Sequence, residues 1–294
     1  YTLTTTGNSC IVASFTGSLT VDPDHAIALG GGNPNQTVCV NVAITTFTLT
    51  LSGGATNITA PAGLPPGVTA NVVGNTVTIS GTPTLAGNYP HSITTSGNSC
   101  LTANFTGTID VSPDHTISLT GGTASQTVCI NTPIAPITLT LGGGATGITP
   151  SGLPPGVTAT VVGTTVTISG APTSTAGSPY NYTLTTTGNS CIVASFTGSI
   201  TVNPDHAIAL AGGNPNQTVC VNTAITPFTL TLSGGATNIA APSNLPPGVT
   251  ANVVGNTVTI SGTPTAAGSY PYIVTTTGNS CVTANFNGTI NVTD

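Results

Sequence analysis

The stretch Ala70-Asn-Val-Val-Gly-Asn-Thr-Val-Thr-Ile-Ser80 decides the fold. Apolar and polar residues alternate on both sides of a two-residue link, Gly74-Asn75. That pattern marks a β-hairpin, because glycine and asparagine tolerate the positive φ such links require. The same hairpin recurs around Gly163-Thr164 and Gly255-Asn256. Upstream, Thr46-Phe-Thr-Leu-Thr-Leu51 repeats the two-residue period, with Phe47, Leu49 and Leu51 on one face and threonines on the other. Leu-Pro-Pro-Gly-Val, beginning at Leu64, Leu153 and Leu245, breaks the chain sharply between strands. No segment has helical periodicity.

The hairpins recur because the whole unit recurs. Tyr1 to Ser18 is repeated without a change at Tyr182 to Ser199, with a diverged copy from His91 and another from Tyr272. Cysteines at 10, 39, 100, 129, 191, 220 and 281 give the period as 90 or 91 residues, and Pro-Asp-His at Pro23, Pro113 and Pro204 marks the boundaries. The units are 23–112, 113–203 and 204–294, with 1–22 supplying the C-terminal strands of a preceding, incomplete repeat. The first and third resemble each other more than the second, so a pair of units also repeats. About seven short strands per 90 residues predict an all-β fold: tandem immunoglobulin-like β-sandwich domains in a linear array.

Composition excludes several functions. The chain has no Lys, Arg, Met or Trp, and its six acidic residues are all aspartates. Without cations it has nothing to set against phosphate, so nucleic-acid binding and a phosphate-binding loop are excluded. Lysine Schiff bases and lysine–asparagine cross-links are chemically impossible, and trypsin-like proteases find no target bond. No membrane-inserting segment is visible.

Two cysteines per unit, with no Cys-x-x-Cys and no accompanying histidine spacing, predict disulfides rather than zinc, and hence an oxidising, extracellular setting. The expected pairs lie within units: Cys39–Cys100, Cys129–Cys191 and Cys220–Cys281. Each would close a loop of about 60 residues, worth roughly 4 kcal/mol. Cys10 is then unpaired. The alternative, Cys10–Cys39 and onward across boundaries, would staple neighbours and leave Cys281 unpaired. The first 22 residues, with exposed apolar edges, read as the edge of a longer array or as a strand pair donated to a neighbouring subunit.

Candidate sites are few. His25, His115 and His206 recur with the Pro-Asp-His junction, His91 stands apart, and no nucleophile motif accompanies them, so no catalytic residue is expected. No cofactor is expected, though calcium is a candidate near the junctions, at Asp22 with Asp24 and at Asp110 with Asp114. The third junction keeps only Asp205, against the several carboxylates calcium prefers, and the competing expectation is aspartates capping local backbone. Tyr89, Tyr180 and Tyr270 precede the strand leading to each second cysteine. They read either as a ligand platform or as corner tyrosines bonded back to the backbone.

The succession Pro-Asp-His-x-Ile-x-Leu, Gln-Thr-Val-Cys-(Val/Ile)-Asn, Leu-Pro-Pro-Gly-Val, Val-Thr-Ile-Ser-Gly-(Thr/Ala)-Pro-Thr and Thr-Thr-Gly-Asn-Ser-Cys resembles the repeats of very large Bacteroidota surface proteins, including SprB-like gliding-motility adhesins. The resemblance implies a cell-surface filament or adhesin, exported by the type IX route and anchored by regions outside this sequence. On that basis the expected function is a stiff, disulfide-stabilised stalk for surface adhesion, with gliding motility as one use. Its partners would be other repeats of the same chain, laterally associated copies, or an external glycan or surface. The competing functions are a carbohydrate-binding accessory module, for which 12 Phe and Tyr residues and no Trp make a poor surface, and ice binding through threonine ladders.

Overall fold

A leading stretch that changes sheets organises each repeat. The computed structural model describes residues 1–8 and 10–294. A short antiparallel pair, β1 (Thr2–Thr4) and β2 (Ser14–Thr16), comes first. The first sandwich then follows as β3 (His25–Gly31), β4 (Asn35–Cys39), β5 (Phe47–Gly53), β6 (Ala55–Ile58), β7 (Val68–Val73), β8 (Thr76–Gly81), β9 (Gly87–Gly97) and β10 (Asn104–Ser112). One sheet has the order β3-β5-β8-β7 and the other β4-β10-β9-β6. Every pairing is antiparallel except β4 with β10, which is parallel. This is the two-sheet arrangement of an immunoglobulin constant-type domain, with the leading strand split between the sheets. The split falls at Gly32, whose φ is +81°. A Cβ there would lie 2.7 Å from the Phe47 Cβ, so only glycine lets the chain cross.

The second sandwich repeats the plan from β11 (His115–Gly121) and β12 (Ser125–Cys129) to β17 (Tyr180–Gly188) and β18 (Ser195–Asn203). The third runs from β19 (His206–Gly212) and β20 (Gln217–Cys220) to β25 (Gly268–Gly278) and β26 (Asn285–Thr293). The hairpin links behave as their sequence requires. Gly74, Gly163 and Gly255 have φ near +60°, the position that a II′ link gives to glycine. Threonines face out while Phe47, Leu49 and Leu51 are buried against Val77, Ile79, Ile93, Ile109 and Val111, giving each sandwich its own core. Burying each such side chain contributes about 1.5–3 kcal/mol.

The leading pair keeps the hairpin register of its exact sequence copy. Leu3 faces Phe15 as Leu184 faces Phe196. Leu3 is nevertheless exposed where Leu184 is fully buried. Among the described residues from 1 to 20 none is buried, so those residues add nothing to any core. By contact, residues Tyr1–His115 with Gly188–Ile192 form one compact unit, and Thr116–Thr187 with Val193–Asp294 form the other. Among the described residues no helix is long and apolar enough to cross a membrane.

Candidate functional site: the cysteine junctions

The first cysteine of each repeat is fixed at the end of a strand. Cys39 closes β4 and stands opposite Ser112, the last residue of β10. The turn that follows is held by Val42 N–H donating to the Cys39 carbonyl (3.1 Å) and Asn41 N–H donating to the Pro83 carbonyl (2.8 Å). Asn41 takes φ +62°, a conformation asparagine tolerates better than most residues. Thus the Cys-Val-Asn and Gly-Thr-Pro-Thr motifs lock one another. Cys129 and Cys220 sit in the same turn, opposite Asn203 and Thr293.

The second cysteine is held at the other pole, in the loop between β9 and β10 or its equivalents. Asn189 Oδ1 accepts from Cys191 N–H (3.0 Å) and from His115 Nε2–H (2.9 Å), while Asp114 Oδ1 accepts from Ile192 N–H (3.2 Å). His115 N–H in turn donates to the Ile192 carbonyl (2.9 Å). The first and third repeats build the same clamp from Asp24, His25, Asn98 and Cys100, and from Asp205, His206, Asn279 and Cys281. There the histidine Nδ1 also lies 2.9 Å from the Thr95 or Thr276 hydroxyl. Pro-Asp-His and Gly-Asn-Ser-Cys are therefore two halves of one device, which aims a cysteine at the junction.

That geometry overturns the expected pairing. The bonds are Cys39–Cys191 and Cys129–Cys281, each with Cα atoms 5.4 Å apart, and each ties a repeat to the loop of the next. The within-repeat pairs Cys39–Cys100, Cys129–Cys191 and Cys220–Cys281 are not formed, and neither is Cys10–Cys39. Cys10, Cys100 and Cys220 are free. The reason is length. Cys100 precedes the start of β10 and Cys39 faces its end, so the nine-residue strand holds them about 26 Å apart, whereas a disulfide needs Cα atoms within roughly 7 Å. Cys191, in contrast, lies at the junction, its Sγ 3.7 Å from the Ser112 carbonyl oxygen. Cys281 Sγ lies 3.9 Å from that of Asn203.

The calcium candidates are not brought together. Asp24 and Asp114 spend their carboxylates on loop N–H groups, and Asp110, inside β10, accepts from the Asn88 amide. The Asp22 carbonyl faces Cys100 Sγ. Among the described residues no three His, Cys, Asp or Glu side chains gather as a metal site.

The repeating tyrosines are corner residues. Tyr89 donates to the Leu85 carbonyl (3.1 Å), Tyr180 to Ser174 (3.1 Å) and Tyr270 to Ala266 (3.2 Å). Two further tyrosines are buried, with Tyr182 donating to the Ala124 carbonyl (2.8 Å) and Tyr272 to that of Pro215 (2.9 Å). Burial raises the pKa of both hydroxyls, that of Tyr272 to about 12. Five of the six tyrosines thus spend their hydroxyls on the chain's own backbone, which leaves little for an aromatic ligand platform. In the first repeat His91 stands where Tyr182 and Tyr272 stand, opposite Gly107 as they are opposite Gly198 and Gly288. Both His91 ring nitrogens are buried without a hydrogen-bond partner.

The chain matches no protein-family model and none of the curated proteins. It is similar to solved structures of tandem immunoglobulin domains. One is an I-band fragment of titin, at 14% identity and a TM-score of 0.66, covering 94% of this chain and 100% of that one. Another is an E-to-A mutated variant of a three-domain titin fragment, at 13% identity, the same TM-score and the same coverage. At such identity the likeness shows the fold: tandem immunoglobulin-like sandwiches.

Proposed function

We propose that this chain is a structural repeat region of an extracellular cell-surface filament or adhesin, a stiff stalk that holds adhesive regions away from the cell. The observation that carries the reading is covalent continuity. The disulfides run between repeats, so each ties two successive sandwiches covalently and limits their separation. A binding module has no need of such a tie, since its stability depends on its own core. Disulfides also call for an oxidising compartment, and a surface without Lys or Arg withstands trypsin-like proteases. Residues 1–22, with the hairpin register of the second repeat, are the last two strands of one more repeat, and units 23–112, 113–203 and 204–294 are successive links. The resemblance to Bacteroidota adhesin repeats supports surface attachment, with gliding motility as one use. Electron microscopy of the isolated chain tests this. Rods with an axial spacing of one sandwich are expected; globular particles would overturn it.

A further inference from the structure

Each sandwich has one sheet edge without the devices that keep edges from pairing with another chain, namely short length, bulges, proline, charge or cover. In the first sandwich β3 and β6 carry register shifts, at Leu29/Gly31 and Ala55/Asn57, and β4 runs for five residues into the disulfide turn. β7 is different. It pairs with β8 in unbroken register from Val68–Gly81 to Val73–Thr76, and among the described residues no strand pairs with its other edge. It holds no proline and no charged residue, and the six aspartates, at 22, 24, 110, 114, 205 and 294, all lie outside residues 25–109. The same edge returns as β15 (Val157–Val162) and β23 (Val249–Val254), again in unbroken register. The two-residue link makes Val73 and Thr76 a hydrogen-bonded pair, so the N–H and C=O groups of Ala70 and Val72 point away from β8.

We propose that two copies of the chain associate side by side through this edge, β7 or its counterpart pairing antiparallel with the same edge of the second copy. The open backbone groups fix the register. Val68 N–H already donates to the Pro65 carbonyl (3.0 Å). The register that satisfies every remaining group therefore pairs Ala70 with Val72 of the other copy and Val72 with its Ala70, which sets Asn71 opposite Asn71 on a two-fold axis. The side chains suit that register. Val73, at the hairpin tip, is 71% exposed and arrives beside Thr69 of the other copy, where a groove walled by Pro61, Leu64 and Pro65 runs along Val68–Ala70. The second sandwich has the same two features, exposed Val162 and a groove walled by Pro150 and Leu153. An apolar tip and an apolar groove on one sandwich, exchanged by a two-fold, favour a second copy over a foreign strand. With no charge along the edge, no like-charge pair opposes the approach. The inference goes beyond the stalk reading, since side-by-side pairing requires neither adhesion nor stiffness.

The test uses the whole chain, oxidised and then alkylated at its free thiols, so that any association is non-covalent. Sedimentation velocity should show reversible self-association at about 0.1 mM. Hydrogen exchange at that concentration should be slower at the Ala70 and Val72 amides, and at Ala159, Val161, Ala251 and Val253, than in a dilute sample. Asn71→Lys, Thr160→Lys and Asn252→Lys together set like charges opposite one another and should weaken association by about tenfold at low salt. The matching triple replacement by Asp should do the same, and mixing the two variants should restore association as heterodimers. Thr50→Lys, Thr140→Lys and Thr231→Lys, at exposed positions away from the edge, should leave association unchanged. Circular dichroism establishes that each variant is folded. The proposal is overturned if the parent chain stays monomeric, if the edge variants associate as the parent does, or if their mixture does not recover. Should a triple variant fail to fold, exchange on the parent still decides, because unprotected Ala70 and Val72 amides in an associated sample refute edge pairing. Rods seen by microscopy without side-by-side pairing would leave the stalk reading intact while refuting this one.

Discussion

Replacing His91 by tyrosine should raise the melting temperature of the first sandwich by about 10 °C. In the second and third sandwiches the equivalent tyrosine hydroxyl crosses a glycine to reach a carbonyl oxygen, that of Ala124 or Pro215. The first sandwich keeps the glycine, Gly107, and beside it the matching acceptor, the Pro34 carbonyl. His91 is too short to use it and leaves two ring nitrogens buried without partners. A buried unpaired polar group costs about 1–3 kcal/mol and a restored hydrogen bond contributes about 1 kcal/mol, so a net gain of about 2 kcal/mol is expected. At about 4–8 °C per kcal/mol for a domain of this size, the shift is large enough to resolve by calorimetry. The gain should grow in acid. Burial holds the His91 imidazole below its ordinary value of 6.5, against a smaller opposing effect of the Tyr89 backbone. The folded state therefore binds fewer protons than the unfolded one. This contribution to stability is present above pH 6.5 and is lost as pH falls through the lowered folded value. Tyrosine removes that loss. An unchanged or lower melting temperature for His91→Tyr at neutral pH, or a gap between the two chains that does not widen toward pH 5, would refute the reasoning.

Three other outcomes follow from the junctions. With Cys39→Ser and Cys191→Ser together, the first sandwich should lose about 4–5 kcal/mol, because the bond closes a loop of roughly 75 residues when that sandwich alone unfolds; urea midpoints measure it. Asn189→Ala strips the acceptor from Cys191 N–H and His115 Nε2–H, and should cost about 2–3 kcal/mol. Thiol titration after refolding should also find less Cys39–Cys191 bond. Pulled from its ends, the oxidised chain should reach about 40 nm and the reduced chain about 100 nm, because the shortest covalent path through both bonds skips most residues; single-molecule force spectroscopy reads the difference.

Much of the fold was legible because local chemistry and global topology agree. The Val73–Thr76 link, the Phe47, Leu49 and Leu51 face and the Pro-Asp-His boundaries all fall where alternation and turn residues place them. The cysteine partners were not legible. A gap of about 60 residues is compatible with many pairings until the parallel β4–β10 register sets Cys39 and Cys100 at opposite poles. One signal was available. In antibody domains the bonded cysteines occupy inward positions of two central strands, whereas here those positions on β5 and β9 are Phe47, Leu49, His91 and Ile93. Cysteines outside the alternating runs point away from the core. The junction histidines looked like passengers of a repeated motif, because their partners Asn98, Asn189 and Asn279 lie more than 70 residues away in sequence.

The direct test of inter-repeat stapling uses the six aspartates. Cleavage before each aspartate of the denatured, thiol-blocked chain yields three long fragments, 24–109, 114–204 and 205–293, each holding two cysteines. With Cys39–Cys191 and Cys129–Cys281 in place, the three should run as one species and separate only on reduction. Three separate fragments without reduction would mean that the disulfides lie within repeats, and the stapled array would be refuted.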